Sequence, residues 1–351
     1  MIGDSVSVSA NAEAPRGKHD CLSFSTLEIL FRQVAPRSLF LCTFAPYMSN
    51  TALKLFYVFV RPLQRLPLGF HYFWGKVFTW LARDVLHYRR DVVLVNLSRS
   101  FPEKKYAEIK EISRDFYSHL GEVFAEAMYF GGCYRNPEKL RRSGLCRMAN
   151  PELLVSSYEN SPSIMIMDSH FGNWELIGGL YEYFGDFPEE KQTIPHEAAC
   201  VVYKQLSSPF WEEFFKVNRT AVMEDDFQGY VESKKVLRWA VEHKGERKMY
   251  IFPTDQFPYK GTIRHEIESF MGQKTLAMEG GTALARKYSM AVLYMAYDRT
   301  EKGHYEVTFR EICPDASKVT VQEILDRFYL YLEEDIRRNP ANYLWSHKRW
   351  K

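Results

Sequence analysis

Ser163-Ile-Met-Ile-Met-Asp-Ser-His170-Phe-Gly-Asn-Trp-Glu175-Leu176 is the stretch that decides how the middle of this chain folds. Residues 164–167 form an apolar run of the length typical of a buried strand, and residues 168–172 have the composition of a turn. A helix is predicted from about Asn173. The junction therefore places His170 beyond the carboxyl end of a strand, which is where open α/β sheets bind their ligands.

Two side chains at this junction have the chemistry of a catalytic pair. With His170 in the loop and Glu175 in the opening turns of the helix, we predict that Glu175 accepts the proton of one imidazole nitrogen. The other nitrogen then takes a proton from an attacking hydroxyl. The backbone N–H groups of Gly172, Asn173 and Trp174 are expected to face an oxyanion or a phosphate. Because isolated His-x4-Glu pairs are common, the alternative is a structural loop histidine beside a surface glutamate.

The motifs of other common enzyme classes are absent from the sequence. No second His or Cys stands near His170 at the spacing of metal ligands, which disfavours a zinc site. The chain has no G-x-S-x-G elbow, no P-loop and no G-x-G-x-x-G stretch. We therefore predict neither a metal ion nor a cofactor. A hydrolase that uses His170 and Glu175 as metal ligands is the last of the alternatives.

After residue 150, strand-like segments alternate with helical ones. Strands are predicted at residues 164–167, 198–203, 249–252, 292–297 and 305–309. Helices are predicted from residue 173 and at residues 209–217, 233–244, 276–288 and 321–336. Strands that alternate with helices of this length form mainly parallel sheets covered on both faces. The predicted fold class is therefore α/β, with a mainly parallel sheet flanked by helices.

The first third of the chain has a different composition. Between residues 54 and 114, basic residues outnumber acidic ones and are interleaved with Phe, Tyr and Trp, a mixture that suits an anionic membrane surface. The alternative is a soluble helical layer with a solvated basic face. The apolar run between Arg37 and Lys54 is interrupted by proline and polar residues. Because a spanning helix needs about 18 apolar residues in succession, we predict short helices that lie in the membrane interface. A long amphipathic helix then follows Pro102 and ends at Gly131 and Gly132.

These patterns predict three parts: a disordered polar tail at residues 1–25, an N-terminal helical, membrane-associating region at 26–132 and an α/β catalytic region at 133–351. The net charge of only +2 argues against nucleic acid as a partner. The six cysteines are scattered without a CxxC pair, and no secretory signal is recognisable. Both features indicate reduced thiols in a cytosol-facing protein.

Four stretches stand in order along the chain: His170-Phe-Gly-Asn-Trp-Glu175, Val202-Tyr203-Lys204, Phe252-Pro-Thr-Asp255-Gln256, and Asn342-Tyr-Leu-Trp-Ser-His-Lys-Arg-Trp-Lys351. Together they resemble the motifs of one family, the late acyltransferases of bacterial lipid A biosynthesis, of the lauroyl/myristoyl acyltransferase type. The resemblance covers roughly residues 50–351. Four motifs in order are far more specific than any one of them.

The resemblance implies a glycerolipid acyltransferase-like fold and an enzyme that moves a fatty acyl chain from an acyl-carrier-protein thioester to a hydroxyl of a lipid A precursor. It implies that His170 is the general base, that Glu175 orients it, and that neither a metal nor a covalent enzyme intermediate takes part. Substrate or oxyanion binding is expected of six further residues: Gly172, Asn173, Tyr203, Lys204, Asp255 and Gln256. Lys204 stands where the family commonly has Arg, which keeps the charge but loses the bidentate fork.

The resemblance also implies a role in lipopolysaccharide production at the cytosolic face of the inner membrane, as a peripheral or monotopic protein. An acyltransferase that acts on aminolipids or lysophospholipids remains an alternative, because nothing in the sequence identifies the acceptor. A non-catalytic lipid-binding or scaffolding protein with the same fold is another. For Asp255 and Gln256, the alternative to a role in the site is a simple turn at a strand end.

Overall fold

A seven-stranded sheet forms the centre of the protein. The computed structural model describes residues 50–206, 208–258, 262 and 264–350, so the predicted tail at 1–25 lies outside the described residues. The strands of the sheet are β1 Cys146–Met148, β2 Ile164–Asp168, β3 Ala199–Tyr203, β4 Tyr230–Glu232, β5 Met249–Pro253, β8 Ala291–Glu301 and β9 His304–Cys313. Their order in the sheet is β1-β9-β8-β2-β5-β3-β4. A separate hairpin consists of β6 Arg264–Phe270 and β7 Gln273–Met278.

Helices precede the sheet and connect its strands. The α-helices of the described chain are α1 Asn50–Gln64, α2 Leu68–Trp80, α3 Arg90–Ser100, α4 Tyr106–Gly131, α5 Pro137–Ser143, α6 Pro151–Glu159, α7 Pro209–Arg219, α8 Val236–Glu242, α9 Gly280–Lys287 and α10 Val321–Arg338. A π-helical turn at Leu81–Val85 follows α2, and a 3₁₀-helix at Trp174–Glu182 follows β2.

Parallel pairing at the centre of the sheet sets the position of the loops that matter most. β2 lies between β8 and β5 and is parallel to both. Asp168, at the end of β2, is the register partner of Pro253, at the end of β5. The segments that follow these two strands therefore leave the sheet side by side. β3 and β4 continue the parallel arrangement, while β8 and β9 pair antiparallel. The predicted α/β class, with a mainly parallel sheet flanked by helices, is confirmed.

Strand β2 shows that both faces of the sheet are covered. Every residue of this strand is buried. Because side chains alternate between the two faces of a strand, Met165 and Met167 belong to one apolar cluster and Ile164 and Ile166 to another. The first cluster continues into α10, and the second continues into the 3₁₀-helix that follows β2. A strand buried on both faces has a continuous apolar sequence, as residues 164–167 do.

The predicted helix at 276–288 is wrong in its first residues. In the structure β7 runs to Met278 and pairs antiparallel with β6, and α9 begins at Gly280. The hairpin turns at Met271 and Gly272, both of which have a positive φ. Thr275 and Ala277 are buried while their neighbours are less so, which is the period of a strand. A short segment of this kind does not distinguish strand from helix by sequence alone.

Helices α1–α4 lie within the part of residues 26–132 that the structure describes, and the membrane-associating role of this region stays a prediction. The long helix α4 begins at Tyr106, several residues after Pro102. Within the described residues, none of the helices combines the length and the apolar character that a membrane span requires. The boundary between a helical region and a catalytic region at residue 132 stays a prediction.

Phe328→Ala is expected to lower the free energy of unfolding by about 3–5 kcal/mol, because truncation of a fully buried ring leaves a cavity. Phe328 packs against the rings of Tyr294 and Tyr329 at centroid distances of 5.7 and 5.1 Å. The control is Leu330→Ala in the same helix, where the side chain is 56% exposed and a change of about 0.5 kcal/mol or less is expected. Urea unfolding followed by circular dichroism measures both, and equal losses would contradict the placement of α10 on the sheet.

Candidate active site

His170 lies in the segment after β2, and Asp255 and Gln256 lie in the segment after β5. Because β2 and β5 are adjacent and parallel, the two segments meet at the carboxyl edge of the sheet. The backbone N–H of Thr254 donates to the carbonyl of Asp168 at 2.9 Å, which ties the two strand ends together. Residues that are 85 positions apart in the sequence, His170 and Asp255, are thereby brought into contact.

The imidazole of His170 has a hydrogen-bond partner on each side. Its Nδ1 lies 2.8 Å from Oδ1 of Asp255, and its Nε2 lies 3.0 Å from Nε2 of Gln256. Because a carboxylate only accepts hydrogen bonds, Nδ1 carries the proton, and the lone pair of Nε2 accepts from the Gln256 amide. The His170 side chain is 14% exposed, so solvent reaches the ring. A fixed tautomer with a basic Nε2 is the arrangement of a general base.

Burial and charge act in opposite directions on this pair. Burial alone lowers the pKa of His170, but the carboxylates of Asp255, Asp168 and Glu175 together outweigh burial and raise that pKa above its ordinary value. Burial raises the pKa of Asp255, yet the imidazole beside it brings the pKa below its ordinary value. The site therefore favours an imidazolium next to a carboxylate, which is the state that forms when His170 accepts a proton.

Two further titratable groups stand beside the pair. Burial raises the pKa of Asp168 to about 7, and its carboxylate accepts from the Ser169 N–H at 2.7 Å. Burial lowers the pKa of His347 to about 3, so this ring stays neutral, and its Nε2 accepts from the Phe257 N–H at 3.2 Å. In the described part of the chain, no group of three or more His, Cys, Asp or Glu side chains is arranged to hold a metal ion.

The predicted contact between His170 and Glu175 is wrong. Glu175 is buried, and its carboxylate accepts from Nε and Nη2 of Arg219 at 2.8 and 2.7 Å and from the Trp174 indole at 3.1 Å. The reason is geometric. Glu175 lies in the first turn of the 3₁₀-helix and meets the last residue of α7, whereas Asp255 arrives beside the imidazole from the adjacent strand.

Arg219, the ion-pair partner of Glu175, is a residue that was not identified from the sequence. It is 44 positions from Glu175, and no motif marks it. Its Nη1 also donates to the Tyr230 hydroxyl at 3.2 Å, and the Tyr230 ring stacks on Tyr203 at a centroid distance of 4.1 Å. A chain of contacts thus leads from Glu175 to the end of β3. Tyr203 and Lys204 lie at the same sheet edge as His170, beyond β5, about 10 Å from β2 for two strand spacings.

Gly172 and Asn173 hold the loop in place. The prediction that the Gly172 N–H faces an oxyanion is wrong, while the same role for the backbone N–H groups of Asn173 and Trp174 stays a prediction. The Gly172 N–H donates to the Asn342 carbonyl at 3.0 Å, so it does not point at an oxyanion. Gly172 has φ +71°, and a Cβ there would lie 1.9 Å from the carbonyl oxygen of Tyr297, which excludes any other residue. Asn173 is fully buried, and its side chain accepts from the Glu175 N–H at 3.2 Å as the cap of the 3₁₀-helix.

Two polar residues on α4 support the same loop. Glu126 is fully buried and accepts from Nδ2 of Asn173 at 2.7 Å and from the hydroxyls of Tyr72 and Tyr305 at 2.7 and 2.8 Å. Nε2 of His119 lies 3.1 Å from the Gly172 carbonyl oxygen. Both residues interrupt the apolar face of a predicted amphipathic helix. That interruption is the signal by which the sequence could have indicated them.

The C-terminal motif packs directly against the loop that carries His170. Phe171 and Tyr343 form an antiparallel β-bridge, and the Leu344 N–H donates to the His170 carbonyl at 3.1 Å. Arg349 is buried and donates to the Tyr329 hydroxyl at 2.8 Å and to the Leu276 carbonyl at 2.7 Å. The closing motif and α4 therefore both contact residues 170–173 and hold this loop in place.

Comparison with known proteins gives a consistent result. The model of the family described as "Bacterial lipid A biosynthesis acyltransferase" matches residues 43–182 and 243–351 of the chain. The chain is similar to a lipid A biosynthesis palmitoleoyltransferase of Escherichia coli (strain K12), with 22% identity over 292 residues, which cover 82% of this chain and 87% of the relative. It is similar to a lipid A biosynthesis acyltransferase of Shigella flexneri at the same identity and coverage.

Asp255→Asn is expected to lower the pKa of His170, because the variant removes the carboxylate that raises this pKa most strongly against the effect of burial. Glu175→Gln is the matched control. It also removes one carboxylate charge, but this charge acts less strongly on His170 than that of Asp255, so a smaller downward shift is expected. Titration of the His170 ring by NMR measures both shifts. Equal shifts would contradict Asp255 as the partner of the ring.

Proposed function

We propose, from the premise that this chain belongs to the bacterial lipid A biosynthesis acyltransferase family and is an acyltransferase enzyme, that it moves a fatty acyl chain from an acyl-carrier-protein thioester to a hydroxyl of a lipid A precursor. The observation that carries the mechanism is the hydrogen bond between His170 and Asp255 at the carboxyl edge of the sheet. It fixes the tautomer in which Nε2 is free of its own proton and is able to act as a base.

The reaction then proceeds by direct transfer. Nε2 of His170 takes the proton of the acceptor hydroxyl as the oxygen attacks the thioester carbonyl carbon. A C–O bond forms, the C–S bond breaks, and the imidazolium returns its proton to the departing thiolate. Asp255 stays ionised throughout and stabilises the imidazolium. The step consumes one hydroxyl and one thioester and yields one ester and one thiol, so it needs no other reactant.

Gln256 has a specific place in this mechanism. Its amide nitrogen lies 3.0 Å from the imidazole Nε2, the position that the attacking hydroxyl must reach. The hydroxyl displaces the amide when the acceptor binds. The displaced N–H group remains close to the reacting carbonyl and is suited to donate a hydrogen bond to the oxyanion. In this proposal Gln256 replaces the Gly172 N–H as the expected oxyanion donor.

Glu175 acts as a positioning residue in this proposal. Its bidentate bond to Arg219 joins the start of the 3₁₀-helix to the end of α7, and its negative charge raises the pKa of His170 after the larger effects of burial and Asp255. Removing one partner of a buried ion pair costs about 3–5 kcal/mol, so either residue is important for the shape of the site. Tyr203 and Lys204 are proposed to meet substrate charge from the end of β3.

A membrane location follows from the acceptor. A lipid A precursor is an amphiphile, and we place the enzyme at the cytosolic face of the inner membrane as a peripheral or monotopic protein. Large apolar side chains on the N-terminal helices support contact with a bilayer: Phe59, Phe73, Trp74 and Trp80 are all exposed. Aromatic side chains at the headgroup level anchor proteins in this way.

His170→Ala is expected to reduce acyl transfer by about 10²–10⁴-fold or more, because it removes the general base. Asp255→Asn is expected to give a similar loss and, in its residual activity, to move the acid limb of kcat/KM to lower pH. The base works deprotonated, so its activity is lost as the pH falls through the His170 pKa, and that pKa is lower without the Asp255 charge. The control is His304→Ala, a half-exposed histidine on β9, which is expected to be unchanged.

These rates are measured by transfer from an acyl-carrier-protein thioester in the presence of a chelator. Retention of turnover by His170→Ala, with the unmodified fold shown by circular dichroism, would remove the proposed mechanism. Loss of activity on chelation together with bound metal in elemental analysis would point instead to metal-dependent chemistry.

Cells that lack this protein are expected to contain lipid A that is short of one acyl chain, because the ester that this enzyme is proposed to form is then not made. Mass spectrometry of lipid A from cells with and without the gene measures the difference, and complementation with His170→Ala is the control that must not restore the chain. Unchanged lipid A with an altered aminolipid or phospholipid would contradict the proposed acceptor and favour the alternative one.

A further inference from the structure

A basic cavity of about 580 Å³ lies where the end of α1 meets the segment after α4. Four cationic residues line it: Arg61, Arg65, Arg135 and Lys139. None of the lining residues in the described part of the chain is acidic. The cavity shares no residue with the site around His170, and the mechanism above makes no use of it. It therefore requires an explanation of its own.

The cations of this cavity are held mainly by rings and carbonyl groups. The guanidinium of Arg61 lies 4.1 Å from the ring centroid of Tyr134. Nζ of Lys139 donates to the carbonyl oxygens of Arg65 and Gly132 at 3.2 and 3.4 Å. These contacts fix the positions of the positive charges without neutralising them.

A carboxylate pairs with one cation of the cavity. Asp225 accepts from Nε and Nη2 of Arg135, and both side chains are 61% exposed, so the pair offsets the charge of this one guanidinium where solvent screens it. Among the described residues, Arg61 and Arg65 form no ion pair with a carboxylate. With Arg135 paired, the charges of Arg61, Arg65 and Lys139 still make the lining positive and attractive to an anion.

An apolar stripe adjoins the cavity on the same helix. Leu55, Val58, Phe59 and Leu63 of α1 are 57, 64, 71 and 50% exposed. At about 100° per residue these positions fall on one side of the helix, and Arg61 falls between that stripe and the buried side. This is the pattern of a helix that lies in a membrane interface, with apolar side chains among the acyl chains and cations at the level of the phosphates.

We propose that this cavity, formed by Arg61, Arg65, Arg135 and Lys139, binds the phosphate group of an anionic lipid at the membrane surface. Guanidinium groups match the oxygens of a phosphate in pairs, and three of the four cations are arginines. The recess has ample room for a phosphate group, while the stripe beside it accommodates the acyl chains of the same lipid. An extended acidic protein surface would fit a flat basic patch better than a recess flanked by apolar side chains.

The inference rests on the proposed association with a membrane but not on the chemistry of His170. The test is cosedimentation of the full chain with vesicles of phosphatidylcholine, with and without phosphatidic acid.

The double variant Arg61→Gln, Arg65→Gln is compared with the double variant Lys274→Gln, Lys318→Gln. The second variant removes the same amount of charge from exposed surface ion pairs elsewhere. Each cation near an anionic surface contributes about a factor of five, so the cavity variant is expected to bind phosphatidate vesicles about 30-fold more weakly. The control variant is expected to bind as the unmodified protein does.

The other outcomes are decisive against the proposal. Equal weakening in the cavity and control variants would show that only net charge matters. In another outcome, inorganic phosphate stabilises the protein against thermal unfolding only when Arg61 and Arg65 are present, while the double variant binds vesicles normally. That result would assign the cavity to a soluble phosphate. A higher KM for the acyl-carrier-protein donor with unchanged vesicle binding would assign it to an acidic protein.

The same experiment separates this inference from the proposed function. His170→Ala is expected to bind phosphatidate vesicles as the unmodified protein does, because His170 does not line the cavity. Thermal unfolding of both double variants checks that the fold is intact. If Arg65→Gln alone already gives most of the loss, the result still supports the cavity, since the side chain of Arg65 is exposed and its removal disturbs no buried contact.

Discussion

The contact between His170 and Asp255 is the interaction around which the rest of the site is arranged. It joins the segments that follow two neighbouring parallel strands, and it exists because Asp168 and Pro253 are aligned in register at the end of those strands. A shift of one residue between β2 and β5 would turn the side chains of one strand to the opposite face and separate the imidazole from the carboxylate. The hydrophobic packing of β2 on both faces therefore also places the imidazole of His170 beside Asp255.

Buried polar groups give the His170 loop its shape. Glu126 reaches it from α4 through Asn173, Asn342 accepts the N–H of Gly172, and the Leu344 N–H bonds the carbonyl of His170. An unpaired buried polar group costs free energy, but each of these groups has a partner, so the network restricts the loop to one conformation. Gly172 and Asn173 thus act on the backbone of the loop, and they fix the position from which the side chain of His170 acts in the proposed mechanism.

Much of the architecture could be predicted from periodicity. The strands at β2, β3 and β5 and the helix α10 were predicted because their apolar runs are long and regular. The hairpin of β6 and β7 was missed, since its half-exposed alternation resembles one side of a short helix. A strand buried on both faces must be apolar at every position, whereas a half-exposed hairpin must be apolar only at every second position. The sequence pattern of the hairpin is therefore weaker.

The candidate site could be predicted in part. The strand–turn–helix junction correctly located His170 at a sheet edge, and the resemblance included Asp255 and Gln256 in the site. The partner of the imidazole was assigned to Glu175 because that residue is near in sequence. The contacts of Asp255 with His170 and of Arg219 with Glu175 depend on which strands are neighbours in the sheet. A local sequence pattern does not predict this order.

The hydrogen bond from Gln256 to His170 also bears on whether water is able to react with the acyl donor. Any molecule that is to lose a proton to Nε2 must first compete with a neighbouring amide that is tethered at 3.0 Å. A large amphiphilic acceptor, anchored by many contacts, is able to displace the amide, whereas a single water molecule gains too little to do so. In the proposed mechanism this contact therefore protects the acyl thioester from hydrolysis, and the selection of an alcohol over water takes place at Nε2 of His170.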